Sequence, residues 1–73
     1  MQHYTDSDNN SNICSYDYGD DYIIVEFKDG SQYKYTYGSA GVSDIEEMKR
    51  LADYGDGLNS FISKNKPDYA NKN

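Results

Sequence analysis

The chain has 73 residues, enough for one domain with a small core, so help from a partner, a ligand or a second copy is expected. Thirteen acidic residues against seven basic ones give a net charge of −6, which disfavours nonspecific binding to a nucleic-acid backbone. No apolar run approaches a membrane span, no start resembles a signal peptide, and the lone Cys14 cannot form an internal disulfide, so a cytoplasmic, reducing setting is the expectation.

Residues 1–10 (MQHYTDSDNN) are polar and without periodicity, and read as a disordered N-terminal arm. His3, the only histidine, falls in that arm, away from any second metal ligand. The stretch ICSYDY (13–18) predicts a first strand with Cys14, Tyr16 and Tyr18 on one face, which makes Cys14 a small buried hydrophobe. Ile13 does not fit that alternation. Gly19, Asp20 and Asp21 form a turn, and with Asp17 they read as a solvated acidic cluster rather than a cation site.

The stretch YIIVEFKDGSQYKYTY (22–37) predicts a hairpin whose two apolar trios, Ile23, Val25, Phe27 and Tyr33, Tyr35, Tyr37, share the core face. A three-residue Lys28-Asp29-Gly30 loop brings this about by pairing Val25 with Tyr33 and Ile23 with Tyr35, with Gly30 in the left-handed position of a bulge. An even-length loop before Tyr22 places Tyr16 opposite Val25 and Tyr18 opposite Ile23. The opposite face carries a small apolar island, Tyr22 and Ile24, which is the candidate interface for a homo-oligomer or a protein partner.

Gly38, Ser39, Ala40 and Gly41 form a link into a helix expected at 43–54. That helix opens on a Ser43-to-Glu46 capping box, runs a stripe of Ile45, Met48, Leu51 and Ala52, and stops at Gly55. Asp56 is placed to cap a second helix with Leu58, Phe61 and Ile62 on its apolar face, ended by Pro67. Tyr69 is expected to fold back onto the core, and residues 70–73 to fray. Together these elements give an α+β domain over 11–69, a three-stranded antiparallel meander with two C-terminal helices packed on one face.

No catalytic constellation, metal site or cofactor motif is evident, so the expectation is a non-enzymatic binding or interaction module. Nine tyrosines against two phenylalanines and no tryptophan supply rings that can line a core edge or make a binding surface. Backbone N–H groups at the start of the second helix favour an anion, so Tyr37, Ser39, Gly41, Gly57 and Asn59 form a candidate pocket for a nucleotide or nucleotide-derived signal. The order Ser11-Asn12-Ile13, Tyr18, Val25-Glu26-Phe27, Gly30, Tyr33-x-Tyr35 and Gly57-Leu58-Asn59-x-x-Ile62 resembles the KTSC domain. That small family is named for its place at the C-terminus of some lysyl-tRNA synthetases and also occurs as short bacterial and phage proteins. The resemblance covers residues 11–69 and implies three strands followed by helices. Its synthetase association points to RNA or nucleotide binding. The alternatives to a plain interaction module are therefore a binder of a nucleotide-derived signal in a phage or bacterial regulatory or anti-defence role, and an accessory RNA-binding domain.

Overall fold

A computed structural model describes residues 2–4 and 12–73. Within them, the chain is α+β. Five strands, β1 (Gln2–His3), β2 (Ile13–Tyr18), β3 (Tyr22–Phe27), β4 (Gln32–Thr36) and β5 (Asn71–Lys72), form one antiparallel sheet in sequence order. Between β4 and β5 lie α1 (Tyr37–Ala40), α2 (Val42–Tyr54) and α3 (Leu58–Asn65).

The register of the three central strands follows from hydrophobic alternation. Tyr16 faces Val25 and Tyr18 faces Ile23; across the next ladder, Val25 faces Tyr33 and Ile23 faces Tyr35. At the hairpin, the Gly30 N–H donates to Phe27 O at 2.9 Å and the Phe27 N–H donates to Ser31 O at 2.8 Å, which closes a three-residue loop. Gly30 takes φ +93°, a backbone region that an L side chain rarely adopts.

The first strand corrects one expectation. The β2–β3 register shifts between Ile13 and Ser15, so a bulge places Ile13 in the core and leaves Cys14 exposed. The extra residue turns the strand over at the point where simple alternation would have buried the thiol. It also explains why Ile13 fell out of the pattern.

Both ends of the chain depart from the expected arm and frayed tail. Gln2 and His3 pair with Tyr16 and Ser15, the Tyr4 N–H donates to Cys14 O, and the Tyr4 side chain is only 1% exposed. At the other end, Asn71 and Lys72 pair with Lys34 and Tyr33. Both segments are polar, and what orders them is the hydrogen-bonding edge of a three-strand sheet, together with a tyrosine to bury at one end. Residues 1 and 5–10 of the predicted arm lie outside the described residues, as does residue 11, where the domain was expected to begin.

The helices also start elsewhere than expected. Thr36 caps α1, and α2, which Ser43 was expected to cap, has no side-chain cap. The Thr36 hydroxyl accepts the Ser39 N–H at 3.1 Å, and the Ser39 hydroxyl accepts the Thr36 N–H at 3.0 Å. The chain therefore leaves the strand one residue early and winds Tyr37–Ala40 into a single turn instead of a loose link. Gly41, at φ +94°, separates that turn from α2, which begins at Val42 and places Ser43 inside the helix. Gly55 closes α2 in the left-handed conformation, its N–H donating to Leu51 O. Gly57, rather than Asp56, precedes α3.

The helices pack on one face of the sheet. Ile45, Met48 and Ala52 of α2 and Leu58 of α3 join Tyr4, Ile13, Tyr16, Ile23, Val25 and Tyr35 in a single buried cluster. Each fully buried apolar side chain of this size contributes roughly 1.5–3 kcal/mol. Phe27, Tyr33, Phe61 and Ile62 are partly buried against the cluster's rim, and they position the site described next.

Candidate functional site

Two concavities of about 670 Å³ each stand out, and they differ in chemistry. The first lies between the turn end of the β3–β4 hairpin and the chain that leaves α3. Its walls are aromatic: Phe27, Tyr33, Tyr35 and Tyr69. Ile62 and Pro67 close the helix side, and Asp29, Ser31, Lys66 and Asp68 supply the polar lining.

The strand register builds this cleft. Tyr33 and Tyr35 alternate onto the core face, with rings stacked at 6.3 Å between centres. Phe27, across the hairpin, meets Tyr33 nearly edge-on at 5.5 Å and 73°. On the other side, Lys66 caps α3 in the left-handed conformation at φ 46°, Pro67 prevents continuation, and the chain turns back. Tyr69 then stands perpendicular to Tyr33 at 4.9 Å and 88°. Two further bonds hold this return: the Ser39 hydroxyl donates to Asp68 O at 2.8 Å, and the Ala70 N–H donates to Lys34 O at 2.7 Å. At the hairpin tip, Asp29 accepts both the N–H and the hydroxyl of Ser31, and these bonds hold its carboxyl below the usual carboxylate range.

Tyr35 is the telling residue. It is 3% exposed, yet its hydroxyl bonds to none of the described residues. No fully buried polar side-chain atom there lacks a partner, so this hydroxyl opens onto the cleft that Tyr35 lines. Burial, with Tyr33 and Tyr69 nearby, pushes its phenol up to about 12. A polar atom at the floor of an aromatic recess is a usual feature of a small-molecule site.

The second concavity, bordered by Tyr18, Tyr37, Glu46, Lys49 and Asp53, satisfies its own polar groups. The Tyr16 and Tyr18 hydroxyls donate to the two Asp53 carboxylate oxygens at 2.9 and 2.7 Å. The Tyr37 hydroxyl donates to Glu46 at 2.6 Å. The Lys49 ammonium donates to Glu46 and to Asp20 O, and lies 5.4 and 5.6 Å from the Tyr18 and Tyr37 ring centres. Tyr37 and Lys49 hold the Glu46 carboxyl below its ordinary value, and Asp53 pushes the Tyr18 phenol up. This network clamps α2 to the β2–β3 turn and to α1.

The residues expected to share a nucleotide pocket are dispersed. Tyr37 borders the second concavity, Ser39 braces Asp68, and Gly41 separates α1 from α2. Gly57 and Asn59 line neither recess. The Leu58 N–H at the start of α3 donates to the Tyr4 hydroxyl at 3.2 Å, in a buried bond. Tyr22 and Ile24 lie on the sheet face away from the helices, half-buried, with the Lys34 ammonium 4.8 Å from the Tyr22 ring centre. The aromatic cleft itself was missed because alternation assigned Phe27, Tyr33 and Tyr35 to the core. The available signal was Tyr69, an aromatic placed just after a helix-ending proline.

His3 is closer to the folded body than the sequence suggested; it and Cys14 lie on adjacent antiparallel strands, both exposed, with no hydrogen bond between them. Among the described residues, no three His, Cys, Asp or Glu side chains converge to hold a metal ion, and no helix is long and apolar enough to cross a membrane. No family model, curated protein or solved structure matches the chain. The likeness to the KTSC domain therefore rests on the residues quoted for it.

Proposed function

We propose that this chain is a non-catalytic binding module whose ligand site is the cleft walled by Phe27, Tyr33, Tyr35 and Tyr69. The carrying observation is Tyr35, a residue only 3% exposed whose hydroxyl opens onto the cleft and bonds to none of the described residues. A ligand that enters buries aromatic surface and gives that hydroxyl a fixed partner in place of solvent. The polar concavity around Lys49 offers less, since its tyrosines already pair with the Glu46 and Asp53 carboxylates.

The nucleotide reading keeps its stacking half and loses its phosphate half. Tyrosine rings are available in the cleft, but the Leu58 N–H at the helix start is taken by Tyr4. Self-association through Tyr22 and Ile24 is a separate proposal. It predicts a concentration-dependent mass that Ile24→Lys reduces to that of the monomer.

Amide NMR titration of the full chain with a panel of small planar and cationic fragments tests the site. Saturable shifts confined to residues around Phe27, Ser31, Tyr33 and Asp68 are expected. Shifts that cluster instead around Tyr18, Tyr37 and Asp53 would move the site to the other concavity.

A further inference from the structure

We propose that the aromatic cleft takes an alkylated ammonium group, and that the chain's own Lys72 ammonium is its intramolecular competitor. This rests on the cleft being the ligand site and goes on to name the ligand's chemistry.

Four observations converge on a cation. Tyr33 is met almost perpendicularly by Phe27 on one side and Tyr69 on the other. Rings so disposed offer both faces and edges to the same recess, and a cation is drawn to the electron-rich faces. The ionisable side chains in the lining are Asp29 and Asp68 against Lys66, apart from the phenols, so once Lys72 is displaced the recess carries a net negative charge, within a chain of net charge −6. The C-terminal end of α3 borders the cleft through Ile62 and Lys66, and this is the partially negative end of a helix. Finally, the structure already holds a cation against this aromatic wall. Lys72, the cross-strand partner of Tyr33, lies with its ammonium 5.2 Å from the Tyr33 ring centre. Tyr33 first, then Tyr69 and Asp29, raise its pKa and keep it charged.

The same features argue against an anion. A phosphate would find Lys66 and Lys72, but against them Asp29, Asp68 and a helix C-terminus, with no helix N-terminus lining the recess. A quaternary or methylated ammonium is weakly hydrated, so its transfer onto aromatic faces costs less than that of a bare lysine ammonium. The Tyr35 hydroxyl can turn its lone pairs toward such a cation, or accept a hydrogen bond from an N–H or hydroxyl beside it.

Choline provides the test, with its uncharged tert-butyl analogue and adenosine monophosphate as controls, each titrated by amide NMR into the wild type and Lys72→Met. Choline is expected to shift the cleft amides saturably, and Lys72→Met to tighten binding several-fold. Tyr69→Ala is expected to weaken binding roughly two- to thirtyfold, and Tyr69→Phe to retain it. Tyr69 is half exposed, so neither substitution threatens the fold. A short peptide carrying trimethyllysine, compared with free choline, separates a protein side chain from a small metabolite as the natural source. Equal binding of the uncharged analogue, or binding of the nucleotide alone, overturns the cation while leaving the cleft as the site. Silence of all probes in Lys72→Met, with no fragment moving the cleft amides, overturns both.

Discussion

The Tyr4 hydroxyl accepts the Leu58 N–H at 3.2 Å, joining the residue that follows β1 to the first turn of α3 across 54 residues. The first N–H groups of a helix have no partner within it, and this one is buried. A tyrosine from outside the helix takes the role that a capping side chain would normally have. Gly57 has no side chain to offer there, and its Cβ, if added, would lie 3.5 Å from Leu51.

Tyr4→Phe should therefore destabilise the fold although the ring is retained. It leaves the buried Leu58 N–H without an acceptor, a cost of about 1–3 kcal/mol. Urea denaturation of the two proteins measures the difference. Equal midpoints would show that water replaces the phenol and that the bond is dispensable.

Two glycines should respond to alanine for different reasons. Around Gly30 a new Cβ meets nothing within 4 Å, so Gly30→Ala costs only the backbone strain of φ +93°, on the order of 1 kcal/mol. At Gly19 the Cβ would lie 2.5 Å from Tyr22 Cε1, so the half-buried ring must move off the turn. Amide shifts in Gly19→Ala should accordingly spread to Tyr22 and Lys34, whereas those in Gly30→Ala stay within the hairpin loop. Identical shift patterns would contradict the distinction.

Two tyrosines are expected to make the fold sensitive to alkaline pH. Burial, then the hydrogen bond to Asp53, pushes Tyr16 up to about 12, and burial does the same for Tyr35. A phenol whose pKa is raised on folding stabilises the folded state fully below its unfolded pKa near 10, and this contribution is lost as pH rises toward the folded value. Stability should hold up to about pH 10 and fall from there toward pH 12. Tyr16→Phe and Tyr35→Phe should each flatten that fall, as seen in denaturation midpoints across the range. A decline of unchanged slope in both variants would assign alkaline unfolding to other groups.

The sheet's centre was legible in the sequence because burial there follows a period of two. Once Phe27, Val25 and Ile23 must share a face with Tyr33 and Tyr35, only one loop length closes the hairpin, and the observed pairs follow. The same logic failed at Cys14, where one bulged residue reverses the alternation and nothing in the composition marks it. It failed again at Ser43, whose capping pattern is as good locally as the Thr36 and Ser39 pair that the fold uses. The two do not compete: Thr36 caps α1, braced by the long-range partners of Tyr37 and Ser39, Glu46 and Asp68, whereas α2 begins at Val42 after Gly41 and so takes Ser43 inside the helix. Tyr4 and Lys72 were illegible for a related reason. Two-residue strands have no periodicity to detect, and these depend on edges that exist only once β2 and β4 have formed. The cleft shared that fate, since its fourth ring arrives on the returning tail.

Ser39 links the capping of α1 to the shape of the cleft. Its hydroxyl accepts the Thr36 N–H and donates to Asp68 O, so one side chain closes the first helical turn and fixes the return that carries Tyr69. Ser39→Ala removes both bonds. The loss of the reciprocal cap should cost about 0.5–2 kcal/mol, within the range for capping residues. The second effect is local: without its anchor, the segment from Asp68 to Ala70 should open more often. Hydrogen exchange at Ala70 and Asn73, whose N–H groups bond β4 carbonyls, should then quicken more than exchange at Val25 in the central strand. Ser39→Thr keeps a hydroxyl and should restore the slower rates. Uniform acceleration across all three positions would mean that Ser39 acts only on global stability, with no particular hold on the wall of the cleft.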